Sequence, residues 1–273
     1  MSNHILDISD EVLESFLEKI FKTYGIDFRR YGKAHLKRRF RHRLTFAKYS
    51  GFTEMKEDVI KNKAAFDALF EDLSINVTEL FRDPLFYESL HQFLVQVPEQ
   101  KPLNIWISAC ASGEEAYSIL MMMEYFKIPY ERIVATDFNQ QIVEKASKGI
   151  LDTTYIKEYL KNLSATNFNI DFYKYFDFKG DKYHLKEQFL KKITFATQNL
   201  MDEHNLGSFD LILCRNVLIY FEKELQNQVI DILTNSLESE GLLCLGAKES
   251  LRFMDSYPQY RTIHQNHKIY QKK

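Results

Sequence analysis

Apolar residues near the start of the chain recur every fourth position. Val12, Phe16, Ile20 and Tyr24 predict a helix over residues 8 to 24, capped by Ser9 or Asp10. Leu36, Phe40 and Leu44 repeat the spacing in a second helix, and Met55, Val59, Ala65, Phe66, Leu69, Phe70 and Leu73 predict a third over 54 to 73. Residues 1–75 therefore read as a small all-helical domain. Residues 76–102 read as a linking segment, with a helix from Asp83-Pro84 to about Phe93 and a loop marked by Pro98 and Pro102.

Beyond Pro102 the period changes. Leu103, Ile105 and Ile107 alternate with Asn104, Trp106 and Ser108 as in a strand, residues 109 to 113 carry only small side chains, and Glu114 opens a helix to Phe126. RIVAT (132–136) delivers Asp137 and is followed by a helix over 140 to 148. KITFATQ (192–198) ends at Asn199-Leu200, and FDLILC (209–214) ends at Arg215-Asn216. A helix over 222 to 238 precedes GLLCLGA (241–247), and HKIYQ supplies a last strand. Strands alternating with helices over 103–273 predict an α/β fold on a largely parallel sheet. The aromatic-rich stretch 151 to 192 predicts a helix and then a small β subdomain near 172–190, with Gly180-Asp181 turning a hairpin between FDFK and KYHL.

Composition adds little: 45% apolar and 27% charged residues describe an ordinary globular chain, and a net charge of −2 averages over an uneven distribution. That distribution is informative. Phe28 to Thr53 contains no acid, yet holds Arg29, Arg30, Lys33, Lys37, Arg38, Arg39, Arg41, Arg43 and Lys48. A solvated face usually mixes signs, so Arg38, Arg39 and Arg41 on the second helix predict an acidic partner surface. Nucleic acid is not expected, because the only interleaved aromatic, Phe40, falls on the inward face. Cys110, Cys214 and Cys244 lack metal-site spacing and are expected to be buried thiols, with no metal. The early acids of the N-terminus do not resemble a secretory signal, and no run approaches the ~20 apolar residues of a membrane span. A cytoplasmic protein without membrane insertion is expected.

Ala109 to Glu115, Asp137, Asn199 and Asn216 all fall at carboxyl ends of predicted strands, where open α/β sheets bind ligands. A pyrophosphate would prefer several glycines and no acids at this turn, whereas Glu114 and Glu115 suit a cationic ligand. S-adenosylmethionine, with a sulfonium, an ammonium and no phosphate, fits that chemistry. Asp137 is placed to hold ribose hydroxyls, or to cap the following helix.

NVTELFRDP, IWISACASGEEAYS, ATDFNQQIVEKASKGI, FDLILCRNVLIYFEKELQ and GLLCLGAKESL, in this order, resemble the successive signatures of the chemotaxis receptor methyltransferases, the CheR family. The resemblance implies a Rossmann-like S-adenosylmethionine-dependent methyltransferase sheet with a small all-helical N-terminal domain and a small β insertion. It implies methyl transfer to glutamate side chains on the acidic cytoplasmic helices of chemoreceptors, leaving glutamate methyl esters and S-adenosyl-L-homocysteine. Asn76, Thr78 and Arg82 would hold the methionine portion, and Glu114 or Glu115, which the sequence leaves open, its cationic part. Asp137 would hold the ribose, while Asn199, Leu200, Asn216 and Val217 would line the adenosyl side. Arg82 would orient a carboxylate of substrate or cofactor, and Tyr220 would assist or simply pack.

Two departures stand out: the family's usual Pro after the paired glutamates is Ala116, and its usual His-Ser-Glu reads Ala247-Lys248-Glu249. The second leaves open a scaffold that binds the cofactor without turnover; a methyltransferase for another substrate is the further alternative. The short β insertion resembles that of members needing no receptor tail, and a monomer is expected.

Overall fold

The computed structural model describes residues 8–74, 78–95, 101–202 and 206–273. It divides into two compact units, residues 1–76 with 220–226, and residues 77–219 with 227–273. Asn76 and Pro98 lie outside the described residues.

The first unit holds α1 (Asp10–Tyr24), α2 (Lys33–Phe46), α3 (Phe52–Lys61) and α4 (Lys63–Leu73). Ser9 caps α1 by accepting from the Val12 N–H. On α1, Phe16 and Ile20 are buried as the spacing predicts, Leu13 and Leu17 complete the buried face, and Val12 is exposed. Leu36, Phe40 and Leu44 are buried as the spacing predicts. The single helix expected over 54 to 73 is two: extended Asn62 closes α3 and caps α4, its side chain accepting from the Ala64 N–H at 3.0 Å. Aromatic packing of Phe16 on Phe40 and on Phe52, both at 5.5 Å, joins three of these helices. Residues 220–222 belong to this unit through backbone bonds, Gly32 N–H to Tyr220 O at 2.8 Å and Glu222 N–H to Arg30 O at 2.9 Å.

The second unit opens with α5 (Pro84–Leu94), β1 (Leu103–Ser108), α6 (Glu114–Phe126), β2 (Tyr130–Asp137), α7 (Gln140–Ala146), β3 (Ile150–Leu151) and α8 (Ile156–Ala165). The short α9 (Phe172–Tyr175), β4 (Phe176–Lys179), β5 (Lys182–Leu185), α10 (Glu187–Leu190), β6 (Ile193–Thr197) and β7 (Phe209–Cys214) follow. Helix α11 (Lys223–Asn235), β8 (Leu237–Leu245), β9 (Tyr260–His264) and β10 (Ile269–Lys272) complete the chain. The main sheet runs β6-β2-β1-β7-β8-β10-β9. Its first five strands are parallel neighbours and its last two pair antiparallel. Strand β9 was not anticipated from sequence, and β8 begins four residues before the expected GLLCLGA run. Gly180, with φ 66°, turns the predicted hairpin, and β3 adds an unforeseen third strand to it.

One core fills this unit, from Phe86, Tyr87 and Leu90 of α5 through Ile105 and Ile107 to Leu211, Leu213 and Ile269. Cys110, Cys214 and Cys244 are buried free thiols. Strand order reverses on either side of β1, with β2 to one side and β7 to the other. Open α/β sheets bind ligands at the carboxyl edge of such a point. Among the described residues, no helix is long and apolar enough to cross a membrane.

Candidate active site

The turn leaving β1 is tightly bent. Ala109, Ala111 and Gly113 take φ values of 56°, 47° and 98°, in the left-handed region. A Cβ at Gly113 would lie 2.6 Å from the Tyr117 hydroxyl oxygen, so only glycine fits there. The adjoining strand ties this turn down: Asp137 Oδ2 accepts the Ala111 N–H at 3.0 Å, and the Cys110 N–H donates to Thr136 O at 2.8 Å. Asp137 Oδ1 accepts the Asn139 N–H at 3.0 Å. Asn139, not Asp137, caps α7 through the N–H groups of Gln141 and Ile142. Asp137 is 6% exposed, and burial raises its pKa despite these bonds.

The two glutamates after the turn differ. Glu115 is paired with the buried Arg215 guanidinium at 2.5 Å, whose other nitrogen meets Asp83 at 2.7 Å. Phe86 lies against that guanidinium, 4.0 Å from carbon to ring centroid. Glu114 is 5% exposed and has no ion-pair partner among the described residues. It accepts hydrogen bonds from two hydroxyls, Ser112 Oγ at 2.7 Å and Tyr159 at 3.1 Å. Burial raises its pKa, which the Ser112 and Tyr159 hydrogen bonds and the field of Lys145 only partly offset.

The Thr78–Asp83 segment reaches the same helix. The Phe81 N–H donates to Ser118 Oγ at 2.8 Å, and Arg215 Nη2 donates to Arg82 O at 3.4 Å. Thr78 and Arg82 are half-buried, and Phe81 and Asp83 are left-handed, with φ 50° and 59°. Asn216 is left-handed as well. Of nine such non-glycine residues among those described, Phe81, Asp83, Ala109, Ala111 and Asn216 lie in these loops. Backbone strain of this kind concentrates where a ligand or reaction requires it.

Sequence reasoning missed the group that holds the loop after β7. Glu249, 5% exposed, accepts from the N–H groups of Gly246 at 2.6 Å, Asn216 at 3.0 Å and Leu218 at 2.8 Å. A Cβ on Gly246 would lie 2.7 Å from the Asn216 nitrogen, so the two loops meet backbone to backbone. Ala247 and Lys248, the altered positions, are exposed. Glu249 could have been suspected as the acid kept within the altered triplet, and Arg215 as a cation closing an apolar strand.

Of the adenosyl-side candidates, Leu200 is buried, Asn216 and Val217 are half-buried, and Asn199 is exposed, its Oδ1 accepting from the Met201 N–H. The buried Gln198 amide beside them has no hydrogen-bond partner among the described residues on either side-chain atom. In the helical unit, Tyr220 packs its ring 4.7 Å from that of His35. Arg38 and Arg41 are exposed, and Arg39 is half-buried with its Nε unpartnered. Lys33, Lys37 and Arg43 are paired internally with acids of α1 and α4, as is Arg29 with Glu18 of α1, so part of the basic run is neutralised within this unit. The sheet unit thus brings together Thr78, Arg82, Glu114, Glu115, Asp137, Asn216 and Val217 at one edge, and the helical unit carries Tyr220 and the three arginines.

Residues 76–268 match the model for the CheR methyltransferase SAM-binding domain, and residues 11–74 that for the CheR methyltransferase all-alpha domain. Cher3 of Pseudomonas putida is 30% identical over 97% of both chains. A chemotaxis protein methyltransferase of Listeria monocytogenes is 31% identical over 86% of this chain and 88% of its own. One of Borreliella burgdorferi is 28% identical over 90% of both. The site suits S-adenosylmethionine: a buried carboxylate with no ion-pair partner among the described residues matches its positive charge, and the small-residue turn admits it closely. Two family domains matched end to end, and relatives spanning nearly the whole chain, place this protein in the CheR family of S-adenosylmethionine-dependent methyltransferases.

Proposed function

We propose that the protein transfers a methyl group from S-adenosylmethionine to glutamate side chains on the cytoplasmic helices of chemoreceptors, forming methyl esters in chemotactic adaptation. The observation that carries this reading is the division of labour between the paired glutamates. Arg215 neutralises Glu115, which leaves Glu114 as the acid for the cofactor's ammonium. Asp137 takes the ribose, Asn199, Leu200, Asn216 and Val217 the adenosyl side, and Asn76, Thr78 and Arg82 the methionine portion. The names of the Listeria and Borreliella relatives support a role in chemotaxis.

The cofactor, when bound, supplies a methyl group on a positively charged sulfur. A substrate glutamate, with an ordinary pKa of about 4.3, is already ionised at neutral pH, so the protein needs no general base. Its contribution is alignment and exclusion of water as opposite charges neutralise. Arg82 orients a carboxylate, of substrate or of cofactor, and Tyr220 assists the approach of the substrate. Arg38, Arg39 and Arg41 steer the acidic receptor helices by complementary charge. The exposure of Ala247 and Lys248, with Glu249 keeping its backbone bonds, gives the scaffold reading little support.

The test is incubation of receptor cytoplasmic fragments with the protein and methyl-labelled cofactor. Base-labile label on glutamate is expected. No label on any receptor fragment, while S-adenosyl-L-homocysteine still binds, would refute the proposal.

A further inference from the structure

Helix α8 sits in the stretch least legible from sequence, yet two of its polar side chains reach the segments assigned to the methionine end of the cofactor. Tyr159, buried on α8, donates its hydroxyl to Glu114 Oε1 at 3.1 Å. One turn on, Asn162 donates to Glu79 Oε2 at 2.9 Å and to Leu80 O at 3.2 Å, within the Thr78–Arg82 segment. These contacts span 45, 83 and 82 residues of chain, so they are features of the tertiary fold and not local turn chemistry.

A buried carboxylate needs donors to stay ionised and to keep one orientation. Ser112 supplies a donor to Oε2 from within the turn itself. The Oε1 donor comes only from α8 among the described residues. Without it, Glu114 could rotate about its last torsion, and one oxygen would be buried unsatisfied whenever no ligand is bound.

We propose that Tyr159 is a positioning residue for cofactor binding, and that α8 acts as a clasp fixing the Glu114 carboxylate in register with the Thr78–Arg82 segment around the amino-acid end of the cofactor. This rests on the reading that Glu114 receives the cofactor's ammonium. Tyr159 itself touches no reacting atom; it acts through Glu114.

The test is calorimetric titration of the full chain with S-adenosyl-L-homocysteine and with 5′-methylthioadenosine, which keeps the nucleoside and thioether but lacks the amino-acid end. Tyr159→Phe keeps the ring packing and removes only the hydroxyl. It is expected to weaken S-adenosyl-L-homocysteine about tenfold or more, the effect of one hydrogen bond to a charged group, and to leave 5′-methylthioadenosine unchanged. Added to Glu114→Gln, it is expected to cause little further loss, because the two act as one unit. Equal weakening of both ligands would reduce Tyr159 to packing and overturn the inference. A loss confined to Glu114→Gln would overturn the role of Tyr159 while leaving that of Glu114 standing. If neither variant weakens S-adenosyl-L-homocysteine, the assignment of Glu114 fails, and this inference with it.

Discussion

Replacing Glu249 with Gln keeps its size but exchanges one carboxylate oxygen for an NH2 group. In the wild type, Oε2 receives the N–H groups of Gly246 and Asn216, and Oε1 that of Leu218. All these partners are donors, so an amide can satisfy only one side. The better arrangement keeps Gly246 and Asn216 on the oxygen and points NH2 at the Leu218 N–H. A hydrogen bond to a charged acceptor contributes about 1.5–3 kcal/mol, so losing one bond, weakening two and adding a donor–donor contact costs several kcal/mol. Against this stands the relief of no longer burying a charge, the effect that raises the Glu249 pKa. A net loss of about 2–4 kcal/mol is expected. The assay is urea denaturation followed by fluorescence of Trp106, the only tryptophan and a buried residue of β1. With a slope of about 2–3 kcal/mol/M, the midpoint should fall by roughly 1 M. S-adenosyl-L-homocysteine affinity should fall as well, because Asn216 and Val217 lie on the loop released. The paired change Ala247→His and Lys248→Ser should alter neither. An unchanged midpoint and affinity for Glu249→Gln would refute the view that this carboxylate holds the loop.

Gly113→Ala would place a methyl 2.6 Å from the Tyr117 hydroxyl oxygen at a left-handed φ; a loss of about 2 kcal/mol or more and weaker S-adenosyl-L-homocysteine binding are expected by urea titration and calorimetry. Arg215→Met strands Glu115, whose side chain is 13% exposed, and should cost about 3–5 kcal/mol, with Glu115→Gln recovering part. The Asp83 pair, 42% exposed on the acid's side, adds little to that cost, and a double-mutant cycle without coupling between residues 115 and 215 would contradict it. Arg38→Glu with Arg41→Glu should lower receptor methylation at low salt about tenfold while sparing cofactor affinity; equal methylation by both proteins would make this face merely solvated. Glu114 and Asp137 have raised pKa values because of burial, so both bind protons more tightly folded than unfolded. Their stabilising contribution is present at low pH and lost as pH rises from the ordinary carboxylate range through the raised values. S-adenosyl-L-homocysteine affinity should run oppositely, weakening as pH falls through the same window. Glu114→Gln should flatten that dependence in calorimetric titrations, and a profile left unaltered would count against Glu114 as the ammonium's partner.

The parts legible in sequence were those written as periods. The buried stripe of α2, the β1–α6 unit and the strand carrying Asp137 need only neighbours a few residues away. On α1 a strict four-residue repeat finds Phe16 and Ile20 but takes Val12 in place of its neighbour Leu13, because the buried set follows i, i+3, i+4 and i+7 from Leu13. The break at Asn62 escaped because a cap is a backbone event that leaves the apolar spacing on either side intact. Strand β9 escaped because YRTIH is an edge strand with little apolar content facing the core. Arg215 and Glu249 escaped for a different reason. Glu115 lies 100 residues from Arg215 and Asn216 lies 33 from Glu249, and no local pattern records such distant partners.

The turn of Ala109, Ala111 and Gly113 has a kinetic side. Two non-glycine residues in the left-handed region cost about 1–2 kcal/mol each, a charge met by folding and not by the ligand. With Cys110 and Ala111 fastened to β2, that wall of the pocket is already in shape when the cofactor arrives, and little loop ordering remains to slow its entry. A floor formed before the ligand arrives predicts that spent cofactor can leave and fresh cofactor enter without this turn first unfolding.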